Sequence, residues 1–253
     1  MKIGFIGFGN LAKALCSGLL SKEGISASDI CITAKTEQTL EYARNRGHKT
    51  FTSIKELIDF SDIVIIAVKP KVFQSILTDL PKNFCEKRFV SVMAMFGYKE
   101  LKKVFPNNPV LRIMPSLSSY TASDLIGVCG EIDKFDDFIG VLSNAGKTIE
   151  MTEDKLDAFT VAESCGLGFA AYIMDEYKKA VCSLGFLETE AKEITQSVFS
   201  NSSLAENYRA LYTGVATKGG ATEAGISAMS QNGLDKAIFN GVIAAYNKAK
   251  GKK

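Results

Sequence analysis

The residues best able to do chemistry open the chain. Lys2-Ile3-Gly4-Phe5-Ile6-Gly7-Phe8-Gly9-Asn10-Leu11-Ala12 carries G-x-G-x-x-A at positions 7, 9 and 12, between an apolar run and a helix-like one. In that context Gly7 permits a tight turn out of a strand. Gly9 lets the backbone approach a pyrophosphate, and Ala12 lets the helix pack on the strand. Asn10 and Leu11 open a helix whose unpaired N–H groups and positive dipole end suit phosphate. A glycine-rich turn without a ligand is the plainer alternative. The second apolar run ends at Thr33 and continues Ala34-Lys35-Thr36. An acidic residue there would bond a ribose 2′-hydroxyl; Lys35 and Thr36 suit a 2′-phosphate instead, which favours NADPH, with NADH still usable. A Lys35 that merely faces solvent is the competing reading. Ala67, Val68, Lys69 and Pro70 end another buried run, where a strand's carboxyl end would line the ribose and nicotinamide. The last cluster is Lys218-Gly219-Gly220-Ala221-Thr222. Its consecutive glycine amides can converge on an anion, and the Thr222 hydroxyl can donate to or accept from a small polar ligand. A helix N-terminus capped by Thr222 is the structural alternative.

These residues need a scaffold that alternates strands and helices, and residues 1–151 supply one. Apolar runs at 2–6, 30–33, 63–68, 89–94, 110–114, 125–129 and 148–151 read as strands. Helix-like segments at 11–20, 37–46, 54–59 and 99–104 lie between them. Runs apolar on both faces indicate a parallel sheet covered on both sides, so the fold class is α/β with an N-terminal Rossmann-type parallel-sheet domain. From 152 to 253 the strand runs stop. Helical patterns at 153–183, 188–212 and 234–248 predict an all-α C-terminal domain, with 213–225 a loop or the start of a helix.

Composition bounds the function. With 253 residues, 46% hydrophobic and 23% charged, the chain buries enough to fold without a metal or disulfide. A net charge of +2 argues against a nucleic-acid partner. Cysteines at 16, 31, 85, 129, 165 and 182 form no CxxC, and there is a single histidine, so no metal site is expected. Scattered cysteines of this kind suggest buried, reduced thiols in the cytoplasm. Lys13 and Asn10 interrupt the apolar stretch from 3 to 20, which therefore reads as neither signal peptide nor membrane span. His48 is expected on the surface or at a strand start, and Lys248, Lys250, Lys252 and Lys253 as a solvated, frayed terminus.

The motifs GFIGFGNLAKAL, AVKP at 67–70, LRIMP at 111–115, DAFT at 157–160 and KGGATEAGI at 218–226 occur in the order seen in pyrroline-5-carboxylate reductases, and the chain resembles a divergent member of that family. The resemblance implies NADPH- or NADH-dependent reduction of the cyclic imine 1-pyrroline-5-carboxylate, or a close cyclic imino acid, to L-proline or its analogue, the last step of proline biosynthesis. It implies a helical dimerisation domain, a homodimer or a higher oligomer built from it, and substrate at the dimer interface near the nicotinamide. It also implies that the 218–222 loop holds the substrate carboxylate through backbone N–H groups, with Thr222 facing the imine nitrogen as the catalytic contact. A protonated imine is already electrophilic, so orientation is the protein's main task.

The chain departs from the family pattern at specific places. SGSGPAY becomes Ser164-Cys165-Gly166-Leu167-Gly168-Phe169 preceded by Glu163, M-P-N-T-P becomes Met114-Pro115-Ser116-Leu117-Ser118, and Met95 replaces the glycine after the fifth strand. Glu163 could pair with a cationic imine or donate a proton if burial raised its pKa; the alternative is a solvent-facing helix position. Two further functions compete. One is a β-hydroxyacid dehydrogenase, disfavoured because no lysine follows Gly166 and Gly168 before Lys178. The other is an NADPH-binding regulatory protein without turnover.

Overall fold

A computed structural model of the chain describes residues 1–81, 83, 84 and 86–250. Cys85, Lys252 and Lys253, named above among the thiols and the basic tail, lie outside the described residues. The described residues divide into two compact units, Met1–Ser164 with Ala249 and Lys250, and Cys165–Lys248.

The first unit holds one eight-stranded sheet. Its strands are β1 (Ile3–Ile6), β2 (Ile30–Thr33), β3 (Lys49–Phe51), β4 (Ile63–Ile66), β5 (Arg88–Ser91), β6 (Val110–Met114), β7 (Asp124–Gly130) and β8 (Gly146–Glu150). Its helices are α1 (Asn10–Leu19), α2 (Glu37–Arg44), α3 (Ile54–Phe60), α4 (Pro70–Ser75), α5 (Tyr98–Val104), α6 (Asp136–Leu142) and α7 (Glu153–Phe159). The strand order is β3-β2-β1-β4-β5-β6-β7-β8. Ile3 lies in register with Ile30 on one side and Ile63 on the other. Strand side chains alternate between two cores, as a period of two demands. Ile3, Phe5, Ile63 and Ile65 pack with Leu15 and Leu19 of α1 and Phe138 and Leu142 of α6. Ile6, Val64 and Ile66 pack with Leu57, Phe73, Leu101 and Phe105.

The second unit is helical: α8 (Gly166–Cys182), α9 (Glu188–Ser203), α10 (Tyr208–Val215), α11 (Ala221–Gln231) and α12 (Leu234–Ala249, whose last residue belongs to the first unit). Tyr177 of α8 meets Phe199 of α9 edge-on at 5.6 Å between ring centroids. Large apolar side chains remain bare, among them Tyr172 (68%) and Phe239 (65%). No helix among the described residues is long and apolar enough to cross a membrane.

Several expectations are corrected. The sheet is not wholly parallel, because β7 runs antiparallel to β6. Three elements were not expected. The strand β3 is short and half-polar, α4 starts at Pro70 with proline in its first turn, and α6 is a short helix between β7 and β8. The helical stretch at 188–212 breaks after Ser203 and restarts at Tyr208, where the Asn207 side chain accepts from the Ala210 amide at 2.9 Å. His48 immediately precedes β3 but is buried, its Nδ1 3.2 Å from the Ala27 carbonyl. Lys250 is not a free tail charge: its ammonium lies 3.2 Å from the Asp157 carboxylate.

Candidate functional site

The sheet's order reverses between β1 and β4. The chain builds outward through β2 and β3, then returns to place β4 on the other flank of β1. Crevices beyond the carboxyl ends of strands at such a switch point bind ligands in open α/β folds. Here both walls come from residues singled out in the sequence. Gly7 has φ +92°, which glycine alone adopts at no cost, and its amide donates to the Thr33 carbonyl at 2.9 Å. A Cβ on Gly7 would stand 2.5 Å from Val68 Cγ1 and 2.8 Å from the Ala67 carbonyl oxygen. The turn after β1 is thereby locked to the ends of both β2 and β4, and the Ala67 amide completes it by donating to the Ile6 carbonyl at 2.9 Å.

Gly9 is the N-cap residue of α1, with no side chain capping the helix. A Cβ there would meet nothing within 4 Å, so the space over the helix start is open. The amides of Asn10, Leu11 and Ala12 occupy the first turn, where an α-helix has no internal acceptor for them. Ala12 is buried and Leu11 half-buried against the core. Lys35 is exposed at the end of β2. Thr36 caps α2, its Oγ1 bonded to Thr39 Oγ1 at 2.8 Å. Lys69 is exposed ahead of Pro70, the first residue of α4. A donor set of bare helix amides, a glycine turn and an exposed lysine fits an anionic dinucleotide.

Glu163 lies in a π-helical turn spanning Thr160–Cys165. Such turns recur at functional positions. It is half-buried rather than solvent-facing, and Ser164 Oγ lies 3.2 Å from Glu163 Oε2 and 3.3 Å from the Pro115 carbonyl oxygen, within reach of either for its single O–H. Pro115 follows β6, so this turn sits on the same carboxyl edge of the sheet as Gly7. Beneath it, buried Asp124 accepts from the Ser116 amide (2.8 Å), Ser116 Oγ (2.7 Å) and Ser119 Oγ (2.5 Å). Burial, then the neighbouring Asp124 charge, raises the Glu163 pKa from its ordinary value. Asp124 went unnoticed in the sequence because its serine partners are spread over Ser116–Ser119 with no motif of their own.

In the helical unit the structure corrects two local expectations. The cap of α11 is Gly220, not Thr222, which sits exposed in the first turn. The loop is also shorter than 213–225, since α10 runs to Val215 and α11 starts at Ala221. Gly219 has φ +74°, and its amide donates to Glu223 Oε2 at 2.6 Å. The Gly220 amide donates to the Thr217 carbonyl at 2.8 Å. A carboxylate of the chain itself thus sits on the Gly219 amide, standing where a substrate carboxylate was expected. The amides of Ala221, Thr222 and Glu223 are the first-turn donors left without a helical acceptor.

A doubly wound sheet with a glycine turn locked at its switch point defines a dinucleotide-binding oxidoreductase. Known proteins narrow this. Residues 2–95 match the family described as NADP oxidoreductase coenzyme F420-dependent, and residues 153–252 match pyrroline-5-carboxylate reductase dimerisation. The pyrroline-5-carboxylate reductase of Staphylococcus saprophyticus is 26% identical, over 98% of this chain and 97% of that protein. The Staphylococcus aureus enzyme of the same name is 29% identical with the same coverage. The fold is shared with pyrroline carboxylate reductase from Plasmodium falciparum, solved with NADP bound (TM-score 0.90, 20% identity, 99% and 97% of the two chains). It is shared equally with 1-pyrroline-5-carboxylate reductase from Streptococcus pyogenes (TM-score 0.89, 24% identity, 99% and 98%). Along 98% of its length the chain is thus similar to pyrroline-5-carboxylate reductases, and residues 153–252 match their dimerisation domain.

Proposed function

We propose that this chain reduces 1-pyrroline-5-carboxylate, or a close cyclic imino acid, to L-proline or its analogue with NADPH, as a homodimer in the cytoplasm. Residues 1–151 act as the cofactor domain and 152–253 as the substrate and dimerisation domain. The observation that carries this reading is the switch-point turn, in which Gly7 tolerates no Cβ while Gly9 faces open space. The full-length likeness to pyrroline-5-carboxylate reductases supplies the substrate.

When bound, the cofactor would supply the hydride; the chain binds the protonated imine and orients it. The first-turn amides of α1 hold the pyrophosphate, Lys35 and Thr36 favour the 2′-phosphate, and Ala67, Val68, Lys69 and Pro70 line the ribose and nicotinamide. The Gly219–Thr222 segment receives the substrate carboxylate, with Thr222 hydrogen-bonding the ring nitrogen. Glu223 must release the Gly219 amide if that donor is used. Glu163 tunes substrate choice from the carboxyl edge of the sheet.

The test is the loss of reduced-nicotinamide absorbance with pyrroline-5-carboxylate, other cyclic imino acids and β-hydroxyacids, using NADPH and NADH in parallel. Turnover of a cyclic imino acid with NADPH preferred is expected. Turnover of a β-hydroxyacid alone, or NADPH binding without any turnover, would overturn the assignment.

A further inference from the structure

The sheet face covered by α1 and α2 carries a second concave site. A cavity of about 530 Å³ runs from Phe8, in the turn after β1, along α1 and just past it from Lys13 to Ser21, against Tyr42 and Arg46 at the end of α2 and next to Tyr120 in the short turn after β6. One end of it therefore adjoins the cofactor turn; because helices of a parallel sheet run back against the strands, its other end, at Leu20 and Ser21, leads away from that edge.

The chemistry of this cavity is one-sided. Lys13 Nζ lies 4.0 Å from the Tyr42 ring centroid, and the Arg46 guanidinium lies 3.7 Å from it. No acidic side chain lines the cavity, and among the described residues neither cation is ion-paired. The other titratable walls add no charge to offset them. Burial lowers the His48 pKa, with Arg46 acting in the same direction, and burial pushes the Cys16 thiol up to about 12. The Cys16 thiol is 3.6 Å from His48 Nε2, so each polar atom of that pair is turned to the other. The remaining wall is aromatic. The Phe8 ring is fixed edge-on against Phe5 and His48, and Tyr120 leaves 48% of its surface bare.

The geometry points to a binding site for a small organic anion with a flat apolar body, of which an aromatic carboxylate is the type. Lys13 and Arg46 would take the carboxylate through charge-assisted hydrogen bonds. Phe8 and Tyr120 would take the ring, in a cavity of the size small molecules occupy.

His48 is the chain's single histidine, so its ring Cε1–H gives one histidine NMR resonance in the intact protein. Benzoate and inorganic phosphate are titrated separately at constant ionic strength. Benzoate should shift that resonance saturably and phosphate should not. The apparent Kd for benzoate should weaken at least about tenfold in K13M/R46M. Arg46→Met alone, at an exposed position, should weaken it without changing Tm. No saturable shift, an equal response to phosphate, or an affinity unaltered by either variant would each overturn the site. So would abolition of the benzoate shift by saturating NADPH, which would make the cavity part of the cofactor site. None of these outcomes depends on turnover, so the site can fail while the proposed reaction stands.

Discussion

Three backbone and carboxyl positions carry the sharpest consequences. Gly7→Ala forces a Cβ into Val68 and the Ala67 carbonyl at a φ that L residues avoid. A loss of about 1–3 kcal/mol in stability is expected by denaturant unfolding, together with at least tenfold weaker NADPH binding by fluorescence titration. Met95 is the reverse case. It holds φ +61° with its side chain 59% exposed, a left-handed conformation imposed on a residue with a Cβ. Met95→Gly should therefore stabilise the protein by about 1 kcal/mol. Unchanged denaturation midpoints would show that the turn relaxes without strain. For Glu163, burial and Asp124 raise the pKa in the folded state, so the folded chain keeps a proton that the unfolded chain has lost over a window above the ordinary carboxylate value. Stability then falls as pH rises through that window. Glu163→Gln removes this dependence, so the Tm gap between variant and parent should widen from acid to neutral pH; a gap constant across that range would contradict the assignment. The glycines were legible in the sequence because spacing alone encodes their steric role. Glu223 and Asp124 were not, because each acts on groups that only the fold brings to it.

Elements were legible where burial is one-sided or complete. Strands β1, β2, β4 and β6 are buried at every position; β1 and β4 read as unbroken apolar runs, while β2 ends in Thr33 and β6 contains Arg112, whose buried guanidinium is paired with Glu153 at 2.5 Å. By contrast, β3 reads as Lys-Thr-Phe, with Lys49 exposed and the other two half-buried, and an edge strand of that length leaves no periodicity to detect. The antiparallel turn from β6 to β7 was equally hidden, since a strand's apolar content does not reveal its direction. Helix breaks depend on capping rather than on pattern. Residues 188–212 stay amphipathic in composition, yet Asn207 accepts from the Ala210 amide and starts α10 anew. Asn207→Ala should cost about 1 kcal/mol in chemical denaturation, the usual loss for an N-cap side chain. A loss below a few tenths would mean that the turn before α10, and not the cap, sets the break.

At the scale of the whole molecule, the two units differ in how they satisfy their apolar residues. The sheet unit closes two cores of its own. The helical unit leaves Tyr172, Leu187, Leu204, Tyr208 and Phe239 largely bare, and α8 and α12 line an apolar cavity of about 500 Å³. Patches of this kind mark association surfaces, and an obligate interface resembles a domain core cut in two. Homodimerisation through these helices accounts for them, and part of each helical unit's folding free energy then resides in the partner. Two consequences follow for Phe239→Glu. A carboxylate placed within an apolar interface loses its water without gaining a partner, so the chain should sediment as a monomer at concentrations where the parent is dimeric. The thermal transition of the parent should rise with protein concentration, and that of the variant should be lower and independent of it. A variant that remains dimeric, with the parent's concentration dependence, would place the interface away from α12 and leave the bare face of that helix for another partner.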